Sequence, residues 1–289
     1  MQIVLKNDTI TATFDTHGAE LKSLVKDGRE FMWNGDPAYW NRTSPVLFPF
    51  VGAVKDGVYR YRGEEYKMGQ HGFARDMEFK VVGQTESSIS FRLDSDEETK
   101  KKYPFKFELT IMYTIHKNEL GIAWIVKNPN RTTMYFSIGA HPAFMVKLDE
   151  NDTFRGNWLQ FDTKGELIAT DFSNGLVKHS THTVTTDEDG CVALDEHFFD
   201  NGVQIFERDQ AQRVSILDKD KTPYVTLEFD TPLFGIWSPE KKNAPFLCIE
   251  PWYGRADAED FEGELQERRY ERSLEVGGTF RGGYKIFIN

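Results

Sequence analysis

The chain has 289 residues, with 35 Lys+Arg against 46 Asp+Glu, a formal net charge of −11 and a pI near 5.2. Hydrophobic residues make up 39% of it, which supports a globular core and excludes a disordered or fibrous chain. The acidic balance argues against a nucleic-acid partner, which calls for a basic face to displace phosphate counterions.

From Met1 the sequence turns polar after Leu5, too early for a signal-peptide core, and no apolar run approaches the ~18 residues of a membrane helix. Cys191 and Cys248 supply neither a disulfide framework nor a metal cluster, so a reducing cytoplasm without a membrane partner is expected. In chain order, one alternating run is Ile89, Phe91, Leu93. Asp94–Lys102 then opens with acids and closes with bases, as a helix dipole prefers, and Pro104 stops it. From Phe105 to Ile115 every odd position is apolar or aromatic, and after a polar break at 116–119 the pattern resumes on Leu120, Ile122, Trp124 and Val126. That spacing predicts a β-hairpin. Similar runs occur at Val203-Ile205, Val214-Ile216 and Val225-Leu227-Phe229, and Asp257–Phe261 is a short second helix candidate. Asx-Gly turn signals separate these runs throughout, from Asp27-Gly28 to Asn201-Gly202. Many short strands without a long amphipathic helix predict an all-β, antiparallel sandwich, one domain over residues 1–289. Forty aromatics supply its core.

Three segments break the alternation and set one titratable group among Gly, Pro and apolar neighbours: His71 within 68–76, His141 within 137–144, and Glu250 within 246–254. Such settings favour perturbed pKa values and close backbone approach to a ligand. Each has a plain alternative. From spacing alone His71 reads first as a loop histidine bonded to a carbonyl, and His141 as a capped strand end before Pro142. Glu250 follows Phe246-Leu247-Cys248-Ile249, where a carboxylate is costly without a partner or a task, and Arg255 is the obvious partner.

Together, Gln70-His71-Gly72-Phe73-Ala74-Arg75-Asp76, Gly139-Ala140-His141-Pro142-Ala143-Phe144 and Cys248-Ile249-Glu250-Pro251-Trp252 resemble the motif set of the aldose 1-epimerase (galactose mutarotase) family, in its short LacX-like branch. Gly18–Leu24, Met32-Trp33, Arg42–Gly52 and Phe234-Gly235-Ile236-Trp237-Ser238 are similar too, so the likeness runs along nearly the whole chain. The resemblance implies a large antiparallel β-supersandwich with a sugar cleft on one sheet. It implies Glu250 as general base, His141 as general acid and His71 as a second histidine at the ring oxygen. Arg75 and Arg42 match positions near the phosphate in the hexose-6-phosphate branch, and Trp237 is an expected sugar contact. Two departures stand out. Ala53 occupies the place of an expected arginine, leaving Lys55 as a substitute, and the sugar-binding aspartate is assigned to Asp200.

Mutarotation needs a base for the C1 hydroxyl proton and an acid for the ring oxygen. A carboxylate and a histidine are sufficient, so no metal or organic cofactor is expected. An imidazolium suits the acid role and an ionised Glu250 the base role. Three other readings compete: a sugar-binding protein without turnover; a 2-His-1-carboxylate metal site, which usually shows a close His-x-Asp/Glu pair that is absent around His71 and His141; and a hexose-6-phosphate 1-epimerase, which shares the mechanism and differs only in substrate. The expected partner is a small sugar, and the assembly a monomer or homodimer.

Overall fold

The alternating segments become strands. A computed structural model describes residues 1–289, in which Ser88–Asp94, Glu108–His116 and Glu119–Lys127 lie side by side and antiparallel. The hairpin turns through Lys117, at φ 52°, and Asn118. Its first strand begins at Glu108 rather than Phe105, because the chain leaving Pro104 first makes a tight turn closed by Phe105 N–H on the Tyr103 carbonyl (2.7 Å). Phe105 and Phe107 still bury in the core.

The one α-helix spans Glu97–Lys102. Asp96 caps it by accepting from the Thr99 N–H (2.7 Å), while Thr99 Oγ1 accepts from the Asp96 N–H (2.8 Å). Tyr103 is extended ahead of Pro104, which ends the helix. The helix expected at Asp257–Phe261 does not form. Its backbone is spent on neighbouring chain instead: Asp257 N–H donates to the Ala53 carbonyl and Glu259 N–H to the Val177 carbonyl. A single 3₁₀ turn follows at Leu265–Glu267.

Two large antiparallel sheets result. The nine-stranded sheet has Pro223–Phe229, Thr279–Ile288, Glu119–Lys127 and Glu108–His116 at its middle. The eight-stranded sheet runs Leu176–Thr185, Glu166–Ser173, Gln204–Glu207, Leu233–Trp237, Phe246–Tyr253, Ile138–Ala140 and Val46–Leu47, with Ala143–Met145 also paired to Phe246–Tyr253. One apolar cluster of 64 residues joins them, taking Trp124, Leu227 and Ile286 from the first sheet and Phe206, Leu247 and Ile249 from the second. The protein is therefore an all-β antiparallel supersandwich. No helix is long and apolar enough to cross a membrane.

Phe246–Tyr253 explains where a site can form. All eight of its residues are buried, so both faces are covered. Leu247, Ile249 and Tyr253 enter the main core. On the opposite face Phe246 and Cys248 join one small apolar cluster and Trp252 another. Glu250 stands between these two clusters, on the face turned away from the main core.

Candidate active site

A cavity of about 320 Å³ opens on that face, the lower end of the size range for small-molecule pockets and suited to one hexose. Glu250, His141, His71, Arg75, Arg42 and Trp237 all line it. Lys55 and Asp200 do not. Lys55 Nζ pairs with Glu262 beside a different cavity, and Asp200 turns back to His197 Nδ1 (2.8 Å). The Asn201-Gly202 turn does approach the cavity, but the carboxylate it meets there is Glu240.

Glu250 is 1% exposed. Its Oε2 lies 3.2 Å from His141 Nε2 without hydrogen-bond alignment, and has no other partner. Arg255 does not neutralise it: that guanidinium pairs with Glu207 Oε1 at 3.2 Å. Burial therefore raises the Glu250 carboxyl well above its ordinary range. Burial, reinforced by Arg75, pushes the His141 imidazole down to about 3. Both shifts favour neutral groups, a carboxylic acid facing a neutral imidazole, rather than the expected carboxylate and imidazolium.

The imidazole of His141 is held by aromatic rings. Trp40 stacks on it (centroids 4.7 Å, 28°), while Trp237 and His71 meet it edge-on at 5.2 and 5.6 Å.

His71 is set by backbone. Gly52 N–H donates to its Nδ1 (3.1 Å), and His71 N–H returns a bond to the Gly52 carbonyl (2.8 Å). With Nδ1 accepting from a backbone N–H, the ring proton sits on Nε2; the Gln70 amide lies 3.2 Å from it and serves as its acceptor only with its oxygen, not its nitrogen, turned to the ring. Burial, then the nearby His141, Arg75 and Arg42, push His71 well below its ordinary value, so it is a neutral donor. Its φ of 66° places it in the left-handed region, next to Gly72 at φ 69°. A side chain at residue 72 would bring Cβ to 2.3 Å from the Phe48 carbonyl oxygen, which already accepts from Phe73 and Ala74 N–H. The motif glycine is required by that close approach.

At one end of the cavity two arginines share one carboxylate. Arg42 donates to Asp76 Oδ1 (2.8 Å), and Arg75 Nε lies 3.8 Å from Asp76 Oδ2. Arg75 also donates to the Gln70 carbonyl (2.8 Å), tying the cationic end to the His71 loop. Burial, then the charge of Arg42, lowers Arg75 to about 10.

The motifs Gln70–Asp76, Gly139–Phe144 and Cys248–Trp252 thus meet in one cavity, with the charge pattern of a site that handles oxygen-rich ligands. The family pattern for aldose 1-epimerase matches residues 1–268. The chain belongs to the aldose 1-epimerase family. It is 31% identical to chromosomal protein LacX of Lactococcus lactis, over 100% of this chain and 99% of that protein. Among solved structures, a galactose mutarotase related enzyme from Lactobacillus acidophilus superposes with a TM-score of 0.93 at 33% identity, covering 100% of this chain and 97% of the other. A galactose mutarotase-like protein from Lactobacillus casei gives 0.94 at 29%, covering 100% of both.

Several lining residues carry no signal strong enough to be chosen from sequence alone. Trp40, Phe172, Val203 and Ile205 read as core, and Glu240 as a solvated loop acid. Trp252 was open to inference, since it lies two residues from Glu250 and so shares its strand face. His141, Cys248 and Glu250 also offer ligand atoms within 4.8 Å of one another. Burial holds the Cys248 thiol well above its ordinary value, which disfavours the thiolate that binds metals.

Proposed function

We propose that this protein interconverts the α and β anomers of a free hexose by acid–base ring opening and closure, with Glu250 and His141 as the proton-transfer pair. The observation that carries the reading is the buried contact between Glu250 and His141, 3.2 Å apart on the cavity floor. O1 and O5 of an aldose are bonded to the same carbon, so two groups this close reach both oxygens at once. Glu250 takes the C1 hydroxyl proton while His141 protonates O5. The C1–O5 bond breaks to the open aldehyde, C1–C2 rotates, and reversed transfers close the ring on the other face.

The resting tautomer does not oppose these roles. A carboxylic acid beside a neutral imidazole holds the same number of protons as a carboxylate beside an imidazolium, and one transfer across the contact interconverts them. His71 donates from Nε2 towards the ring oxygen, the nitrogen on which the Gly52 N–H bond to Nδ1 places the proton of the neutral ring. Trp40 and Trp237 offer apolar faces for sugar C–H groups. No step calls on a metal.

The substrate is read as a free hexose. A second reading, a hexose 6-phosphate, draws support from Arg42 and Arg75, which share one carboxylate between them. Anomer-resolved NMR exchange on glucose, galactose and glucose 6-phosphate tests both. Absence of exchange above the uncatalysed rate for every aldose would leave only a sugar-binding role.

A further inference from the structure

A second cavity lies beside the first on the same sheet face. Three segments contribute to both. On Glu166–Ser173, Phe172 lines the first cavity and Thr170 the second; on Gln204–Glu207, Ile205 lines the first and Glu207 the second; along the following loop, Ala256 lines the first and Arg255 and Ala258 the second. Same-face neighbours on a strand are separated by ~7 Å, about the length of one pyranose unit.

The charge of this cavity opposes that of the protein. Lys178, Arg208, Arg255 and Arg269 line it against the single carboxylate of Glu207, in a chain whose net charge is −11. Glu207 is ion-paired on both oxygens: Oε1 lies 3.2 Å from Arg255 without an aligned hydrogen bond, and Oε2 lies 3.1 Å from Arg269 and accepts from the Tyr270 hydroxyl (3.3 Å). Arg208 and Lys178 form no ion pair at all, although carboxylates outnumber cations in the chain by eleven. Arg208 is also held at φ 70°, a backbone conformation rare for a long side chain. Behind them Arg255 is 7% exposed, and its Nε is buried without any hydrogen-bond partner.

We propose that this second cavity is an oxyanion-binding subsite, taking a phosphate, sulfate or carboxylate group next to the hexose bound in the first cavity. Arg208 and Lys178 supply the unpaired charge, and Arg255, whose guanidinium is held on Glu207, lines the cavity behind them. The anion-binding half stands without the epimerase reading. Its extension to an acidic group on the sugar rests on that reading, because only then does the first cavity hold the reacting ring.

The test uses the intact chain and three probes: inorganic phosphate, cellobiose, and a disaccharide of glucuronic acid linked to glucose. Calorimetric titration with phosphate is expected to show saturable binding that weakens at least tenfold in Lys178→Ala/Arg208→Ala and disappears in Lys178→Glu/Arg208→Glu. Both side chains are exposed and unpaired, so these variants are expected to fold. Arg75→Ala is the control for the other cationic end. Binding lost in Arg75→Ala but kept in the Lys178/Arg208 variants overturns the proposal, as does no binding to the native protein. For a sugar-borne anion, KM for the acidic disaccharide falls at least tenfold below that for cellobiose, and the gap closes in the double variant and at high salt. Equal KM values with intact phosphate binding assign the site to free oxyanions. Glucose exchange by the native protein reads the first cavity separately: its absence removes the epimerase reading and leaves the phosphate result standing.

Discussion

Replacing Glu250 by Gln separates the chemistry of the pair from its electrostatics. The amide keeps the shape of the carboxyl but accepts no proton, so exchange is expected to fall by at least ~10²–10⁴, the usual contribution of base catalysis. Stability moves the other way with pH. A carboxyl whose folded pKa is raised binds more protons folded than unfolded, so its contribution is lost as pH rises from its ordinary 4.5 towards the folded value. His141, lowered to about 3, has the opposite slope up to its ordinary 6.5 and cancels Glu250 between 4.5 and 6.5. Above 6.5 the Glu250 slope stands exposed for as far as the raised folded carboxyl keeps its proton, at up to ~1.4 kcal/mol per pH unit, or roughly 2–4 °C in Tm for a chain of this size. Glu271, raised to about 7 by burial, titrates in both proteins and drops out of the comparison. Any fixed penalty from the amide is independent of pH. Thermal unfolding of the native chain and Glu250→Gln between pH 6.5 and 8.5 is therefore expected to show Tm curves that diverge, the native one falling faster. Parallel curves would mean that Glu250 is a carboxylate beside a neutral His141, so that the pair holds no proton at neutral pH, and the burial argument would be wrong.

His141→Asn is expected to lower turnover more than His71→Asn, measured by NMR exchange; the reverse order would exchange their roles. Prolonged treatment with a chelator is expected to leave exchange unchanged, and loss restored by a divalent metal would put His141, Cys248 and Glu250 to a different use. Gly72→Ala is expected to destabilise the fold by at least ~1–2 kcal/mol from the left-handed conformation alone, with the 2.3 Å approach to Phe48 adding to it; an unchanged denaturation midpoint would refute this. Arg75→Ala is expected to affect free glucose less than glucose 6-phosphate, with the native protein preferring the free hexose in kcat/KM. A salt-sensitive preference for the phosphate that vanishes in Arg75→Ala would reassign the substrate class.

The parts of the fold legible in the sequence are those with one face in the core. Glu108–His116 and Glu119–Lys127 alternate because only one face of each is fully buried. Phe246–Tyr253 escapes that pattern because both of its faces are covered, and a continuous apolar run does not distinguish strand from helix. Glu250 was conspicuous for the same reason, as the one carboxylate inside such a run. The failures have a different origin. Lys55 and Asp200 were chosen by position along the chain, and each side chain is taken by a local partner, Glu262 and His197, that sequence order does not reveal. Asp257–Phe261 has helical composition, but the loop at Ala53 and the edge strand at Val177 claim its backbone donors.

The protonation states were the least accessible of all. An isolated histidine and glutamate at neutral pH are a mixed imidazole and a carboxylate, and the roles of acid and base follow directly. In the folded chain Glu250 sits between two apolar clusters, His141 between Trp40 and Trp237, and the nearest cations are two arginines occupied with Asp76. That surrounding shifts the pair to its neutral tautomer without changing its proton count. A reaction that takes one proton from O1 and gives one to O5 needs only that count. Under the proposed function, the enclosure that makes charge costly at rest therefore leaves the pair with the one proton that ring opening in either direction needs.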